Sequence, residues 1–322
     1  MEIIISDNRF YNLKKAVKGA ITGFVLDKCT NNSIQMQNRA VMQKRRLGKT
    51  NLEVPIFSLG GQGVLEYYYW NKRADKILNH ALDLGVSYID TSPNYGKSQQ
   101  YIGKYISHRR HEFVLASKTR SRDYDNILRS IEKSLNQLRT DVIDIMQIHC
   151  LDTESDFHQL FQGNYPGIKA LIRLKDEGVI NFIGASSDAS PQYLAKALRE
   201  GVLDTVLIPV NPADVHENSY IKDIIPLARE KKTGVMGMQV FASGRLPELA
   251  PDITRVQLLH YALSQDVDTV VVGVENIKHL EENVIACSRF RKPSSESIEE
   301  IEKQTEKLFH RINRYKSREV FS

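Results

Sequence analysis

Gly85-Val86-Ser87-Tyr88-Ile89-Asp90-Thr91-Ser92-Pro93-Asn94-Tyr95-Gly96 is a short apolar run that ends on a carboxylate and a tyrosine. Two runs of the same kind follow: Val114-Leu115-Ala116-Ser117 before Lys118, and Ile143-Asp144-Ile145-Met146-Gln147-Ile148 before His149. Each has the length and the bulky, β-branched content of a strand, and a helix-period segment separates each from the next. That alternation predicts βα units and a parallel sheet. All strands of such a sheet point one way, so residues at their C-terminal ends gather on one face, where ligands bind. A carboxylate (Asp90), a phenol (Tyr95), an amine (Lys118) and an imidazole (His149) are therefore expected together, and as a group they can move a proton.

Outward from these three runs the pattern repeats. Strand-like ends fall near Gly60, Asp90, Lys118, His149, Ser186, Asn211, Met238 and Gly273. The spacing is close to the ~30 residues that one strand, one crossover helix and two loops require. Eight units in series predict an α/β fold of the closed (β/α)8 TIM-barrel kind. An open doubly wound sheet is the competing fold, but Gly60-Gly61-Gln62-Gly63 has the wrong spacing for its phosphate-binding fingerprint. Between the strands, Ile77, Leu78, Ala81 and Leu82, then Ile127, Leu128, Ile131, Leu135 and Leu138, mark apolar helix faces. Ser190 reads as a helix cap before Pro191, and Gly178, Gly201 and Gly234 read as helix stops. Pro226 falls inside the sixth helical pattern. Residues 46–54 read as a β-hairpin preceding the barrel, and a charged helical tail runs from Ser295 to about Tyr315.

Three segments result: an extension over 1–44, expected to be disordered; a barrel over 45–290; and an extra C-terminal helix over 291–322. The chain has 322 residues and a net charge of +5, and residues 1–46 hold nine Lys/Arg against three Asp/Glu. The remainder is near neutral, which gives no basic face for nucleic acid. Apolar runs fall short of the ~20 residues of a membrane span. Three scattered cysteines, Cys29, Cys150 and Cys287, suggest reduced thiols and a cytoplasmic location. No His/Cys/Asp/Glu spacing of a metal site occurs, so no metal is expected.

A tyrosine with a pKa near 10 donates its proton reluctantly. An ammonium nearby is expected to lower that value, an imidazole to orient the proton, and Asp90 to hold Lys118 charged. No side chain supplies hydride, so carbonyl chemistry here calls for a nicotinamide cofactor. Taken singly, Asp90 has the bland reading of a helix cap, Lys118 of a surface amine, His149 of a core histidine and Tyr95 of a loop residue. Their joint spacing carries the sharper reading.

The stretch 85–96, Ala116-Ser117-Lys118-Thr119, Thr140-Asp141-Val142-Ile143-Asp144 and Gln147-Ile148-His149 resemble the aldo-keto reductase superfamily. The resemblance runs from about Leu47 to Asn283. It implies a (β/α)8 barrel binding NADP or NAD across the strand ends, with Tyr95 as general acid, Lys118 and His149 supporting it, and Asp90 paired with the lysine. The implied reaction interconverts a small aldehyde, ketone or sugar and the alcohol. Implied cofactor positions are Gly61, Gln62, Ser186, Ser187, Asn211, Met238, Gln239, Phe241, Gly244, Gly273, His279, Glu282 and Asn283. The chain departs from the family pattern at Ser187, Pro212, Met238 and Val274. Glu275 adds negative charge near the expected ribose, which favours NAD over NADP. Tyr68, Trp70 and Phe157 are candidate substrate-pocket residues. Two other classes stay open: a cofactor-binding regulatory barrel with little turnover, and a barrel enzyme using Lys118 as a Schiff-base nucleophile.

Overall fold

The computed structural model describes residues 42–66, 71–162 and 166–316. The extension up to Val41, the aromatic cluster containing Tyr68 and Trp70, and Tyr165 lie outside the described residues. A hairpin comes first: β1 (Lys44–Arg46) runs antiparallel to β2 (Glu53–Pro55), with Arg45 opposite Val54. Eight parallel strands follow: β3 (Phe57–Gly60), β4 (Tyr88–Asp90), β5 (Val114–Thr119), β6 (Ile143–Ile148), β7 (Ile180–Ser186), β8 (Thr205–Pro209), β9 (Gly234–Met238) and β10 (Thr269–Gly273). Each pairs with the next, and β10 closes the ring on β3 with Gly273 opposite Gly60. This is the expected TIM barrel, and its strand ends fall within two residues of those read from the sequence.

Helices alternate with the strands: α1 (Asn71–Asp83), α2 (Ser98–Tyr105), α3 (Tyr124–Leu138), α4 (Glu154–Phe161), α5 (Ile168–Asp176), α6 (Pro191–Arg199), α7 (Tyr220–Glu230), α8 (Arg245–Leu249), α9 (Arg255–Ser264) and α10 (Ile277–Ser288). Helix α3 buries Ile127, Ile131 and Leu138, starts on the Asp123 carboxylate, which accepts from Asn126 N, and stops on Arg139 in the left-handed region. Burying such an apolar side chain contributes roughly 1.5–3 kcal/mol.

The hairpin closes the N-terminal end of the barrel. Leu47 and Val54 join Tyr88, Ala116, Ile145, Leu207, Met236 and Val271 in one buried cluster inside the ring. Lys49 N donates to Lys232 O at 2.7 Å, and a Cβ on Gly48 would lie 2.2 Å from Gly234 N. Only glycine fits that crossing, which also has φ +51°. The opposite end, where the strands finish, is left for chemistry.

Three local expectations change, and one at a proline holds. Gly234 opens β9 instead of stopping α7, and the left-handed turn before it falls on Lys232. Ser190 precedes α6 but makes no side-chain cap, because Pro191 already presets the first turn. As expected, Pro226 lies inside helix α7, which continues through it and forgoes only that residue's own N–H bond. The C-terminal tail is two helices, α11 (Ser295–Thr305) and α12 (Phe309–Ile312), with Arg311 and Arg314 exposed but the residues between and after them packed on the barrel. Ile312, Asn313 and Tyr315 are buried, and Lys316 pairs at 2.6 Å with the fully buried Asp214.

Candidate active site

Strand β4 ends on Asp90, Lys118 is next to last in β5, and His149 directly follows β6. The closed ring sets these three side by side at the C-terminal end. Lys118 is 1% exposed and Asp90 2%, and the lysine Nζ donates to Asp90 Oδ1 and to Thr91 O at 3.0 Å. The other carboxylate oxygen, Oδ2, accepts from Gln147 Nε2 at 2.7 Å. Tyr95 arrives on the turn after β4. Gly96 behind it has φ +49°, and a Cβ there would strike the Glu66 carbonyl at 2.1 Å. Glycine therefore fixes the turn that presents the phenol.

The four expected residues do meet. Lys118 Nζ lies 5.0 Å from the centre of the Tyr95 ring, and the Tyr95 and His149 rings meet edge to face at 5.8 Å. Ser92 Oγ and His149 Nδ1 are 3.4 Å apart, a long hydrogen bond. Burial, with Lys118 next, pushes the His149 pKa down to about 2, so its imidazole is neutral at physiological pH. Burial also lowers Lys118, while Asp90 counters that effect. Tyr95 differs from expectation: its pKa is raised well above 10, by burial first and by the Asp90 charge second. The ammonium that was to lower it is neutralised by the carboxylate it touches. The phenol therefore keeps its proton through the neutral range, which is the state a proton donor requires.

The sequence profile of the Aldo/keto reductase family matches residues 58–257, from β3 into α9. The chain belongs to that family. It is 26% identical to the uncharacterized oxidoreductase YqkF of Bacillus subtilis, over 85% of this chain and all of the relative. It is 26% identical to L-galactose dehydrogenase of Arabidopsis thaliana, over 81% of this chain and 93% of that one. Among solved structures, aldo-keto reductase AKR11C1 from Bacillus halodurans in its holo form superposes with a TM-score of 0.68, at 25% identity over 82% of this chain and 96% of the other.

As an aldo/keto reductase the protein is an NAD(P)(H)-dependent oxidoreductase, and the remaining residues expected at cofactor positions divide by what they already touch. Ser187 Oγ is spent on Asp152 Oδ1 (2.6 Å), Ser190 O and Tyr220 Oη. Asn211 Nδ2 donates to Gln239 O and to Tyr315 Oη, and its Oδ1 accepts from Ala213 N. Both side chains are fully engaged within the protein. Ser186 is buried and accepts from Cys150 N at 3.2 Å. Met238, half-buried, closes β9, and Gln239 follows with φ +54°. Phe241 lies 4.3 Å beneath the Arg255 guanidinium, and Gly244, also left-handed, precedes α8. Gly61 N donates to Asp90 O at 2.7 Å, and the exposed Gln62 places its carbonyl 3.0 Å from where a Gly273 side chain would begin.

At the far end, a cavity of about 380 Å³ opens between α9 and α10, lined by Arg255, Leu259, His260, Glu282, Asn283 and Arg289 among others. Asn283 is 3% exposed, yet its Nδ2 has no hydrogen-bond partner among the described residues. A buried amide with an unmet donor calls for an acceptor from outside the chain. His279 Nδ1 lies 3.6 Å from the Glu275 carboxylate. Phe157 stacks on Phe161 at 5.1 Å and under Lys196 of α6, in a helix–helix contact.

Cys150, Asp152 and Asp188 each bring one ligand atom within 4.8 Å of the others. Asp152 is taken up by Ser187 Oγ and the backbone N–H groups of residues 188–190, and burial pushes the Cys150 thiol up to about 11. Among the described residues no helix is long and apolar enough to cross a membrane. Sequence reasoning gave no part to Gln147, Arg255 or Tyr315. The signal for Gln147 was available: an amide with the same strand parity as His149, on a face whose other strand residues, Ile143 and Ile145, are apolar.

Proposed function

We propose that this protein interconverts a carbonyl and an alcohol by hydride transfer with NAD(P)(H), with Tyr95 giving or taking the proton. The observation that carries the reading is the buried Lys118–Asp90 pair lying against the Tyr95 ring, with a neutral His149 edge-on to it. In reduction, Tyr95 donates its phenolic proton to the carbonyl oxygen. Lys118 steadies the negative charge that departure of the proton leaves on the phenol oxygen. His149, uncharged, orients the oxygen without competing for the proton. Asp90 keeps Lys118 in place and leaves it no role as a free nucleophile.

A nicotinamide bound beside these groups supplies or accepts the hydride. The unmet Asn283 amide, with Glu282 and Arg255 around the adjoining cavity, fits the adenosine end of such a cofactor. Ser186, Met238, Gln239, Phe241, Gly244 and Gly273 trace the way back to the barrel mouth. Ser187 and Asn211 shape that path from behind. Two features oppose each other on the choice of dinucleotide. Glu275 and the histidine it occupies disfavour a 2′-phosphate, whereas Arg255 and Arg289 would accept one. Arg255 is already committed to the Phe241 ring. Glu275 therefore weighs more, and the reading is NAD(H) ahead of NADP(H).

The resemblance to L-galactose dehydrogenase supports a small hydroxylated aldehyde or sugar as substrate. Free Cys150 and Cys287 support a reducing, cytoplasmic setting. The test is a fluorescence titration with NADH and with NADPH, followed by a panel of aldehydes and aldoses. Binding with oxidation of the reduced cofactor by a panel member supports the reading. Tight binding with turnover of no carbonyl and no alcohol would replace it with a cofactor-binding regulatory barrel.

A further inference from the structure

We infer that Gln147 is a positioning residue of the proton-transfer site, acting through Asp90 to hold Lys118 charged against Tyr95. The inference rests on the role proposed above for these residues. Gln147 is fully buried, and its Nε2 is the partner of Asp90 Oδ2 at 2.7 Å, while Lys118 takes Oδ1. The carboxylate thus has one donor on each oxygen. Gln147 and Lys118 are register partners across β5 and β6, so the amide and the ammonium approach Asp90 from adjacent strands.

The amide orientation is fixed by its partner, because an amide oxygen turned toward a carboxylate oxygen would be repelled. With Nε2 so placed, Gln147 Oε1 is left buried without a donor among the described residues. A leucine or methionine would fill the same space with no unmet acceptor. Keeping half an amide unsatisfied in a barrel core is explained by what the other half does. The neighbouring strand makes room for it: Gly184 is the register partner of Gln147 on β7, and a Cβ there would lie 3.0 Å from Gln147 Cγ and 2.5 Å from Thr205 Oγ1.

A neutral donor is the group the place requires. A second carboxylate would repel Asp90, and a cation would compete with Lys118 for it. With Gln147 removed, Asp90 Oδ2 is buried and unpaired, its hold on Lys118 weakens, and burial of the lysine is no longer offset.

The experiment follows the Lys118 ammonium by NMR in protein carrying 15N-lysine, assigned with Lys118→Met, alongside the pH profile of 4-nitrobenzaldehyde reduction. In Gln147→Leu the Lys118 titration midpoint is expected to drop by about one pH unit or more. The alkaline limb of kcat should move down with it, and the rate at neutral pH should fall about tenfold. Cofactor affinity should stay within about twofold, because Gln147 lies off the cofactor path. Gln147→Glu keeps the shape and donates only while its own carboxyl is protonated, so its rate should approach wild type in acid and fall as pH rises. That variant also decides the matter where Gln147→Leu does not fold. A folded Gln147→Leu with the wild-type midpoint and profile would overturn the inference. So would a Gln147→Glu profile that matches wild type throughout. A shifted midpoint in a protein that reduces no carbonyl would instead overturn the function proposed for the four residues.

Discussion

The rings of Tyr95 and His149 meet at a right angle, centroids 5.8 Å apart, in a pocket where the imidazole stays uncharged down to about pH 2. Unfolded, the same histidine takes up a proton below about pH 6.5. The unfolded state then binds more protons, so this contribution to stability is complete above that pH and declines as pH falls toward the folded value. The decline approaches ~1.4 kcal/mol per pH unit. Urea unfolding at about pH 7.5 and 5.5 should show wild type losing roughly 1 kcal/mol more than His149→Phe over that interval. An imidazole signal of His149 that titrates near neutral pH would contradict the assignment.

Tyr95→Phe keeps the ring against Lys118 and His149 and removes only the hydroxyl. Carbonyl reduction should fall by ~10²–10⁴, the range of general acid catalysis, with melting temperature and cofactor affinity unchanged. Stopped-flow and steady-state rates at neutral pH measure this. Near-full activity in the variant would mean another group supplies the proton.

Glu275→Ser frees His279 and takes one negative charge from the turn between β10 and α10. The ratio of NADPH to NADH affinity should rise roughly threefold to tenfold, a modest change because the pair is solvent-exposed. Competitive fluorescence titration reads the ratio directly. A ratio that stays put would place dinucleotide selection at Arg255 and Arg289.

Tyr315 ties the C-terminal segment to the end of β8: its hydroxyl accepts from Asn211 and donates to Asn313, which in turn donates to Ala213 O. Tyr315→Phe should cost about 1–2 kcal/mol, the range for losing one buried partner. It should also weaken cofactor binding, because Asn211 holds the Gln239 carbonyl. Thermal melts with and without cofactor separate the two effects. An unchanged cofactor-induced shift would confine Tyr315 to stability.

The barrel was legible because its strands are short, apolar and evenly spaced, and because parallel strands force their ends together. Asp90, Tyr95, Lys118 and His149 could be placed on one face by that rule alone. What the sequence hid were contacts between distant segments. Ser187 and Asn211 look like free polar ends of strands, and only the fold shows them consumed by Asp152 and Tyr315. Lys316 looks like one more exposed charge in a basic tail, and its partner Asp214 lies 102 positions earlier. The direction of the Tyr95 shift was missed for a similar reason. Charge near a phenol, and the pairing of Asp90 with Lys118, can be read from sequence, but the burial that dominates the Tyr95 shift cannot.

The link between Tyr315 and Asn211 also sets an order in time. The tyrosine is made 104 residues after the asparagine it holds. At ~5–20 residues per second, that separation is on the order of 5 to 20 s of synthesis. Throughout that interval a nascent chain carries Asp90, Tyr95, Lys118 and His149 complete, while the loop beyond β8 still waits for its anchor. Those four side chains are thus synthesised well before the residue that anchors the loop beyond β8, and β10, whose pairing with β3 closes the ring that gathers them, is also made within that interval.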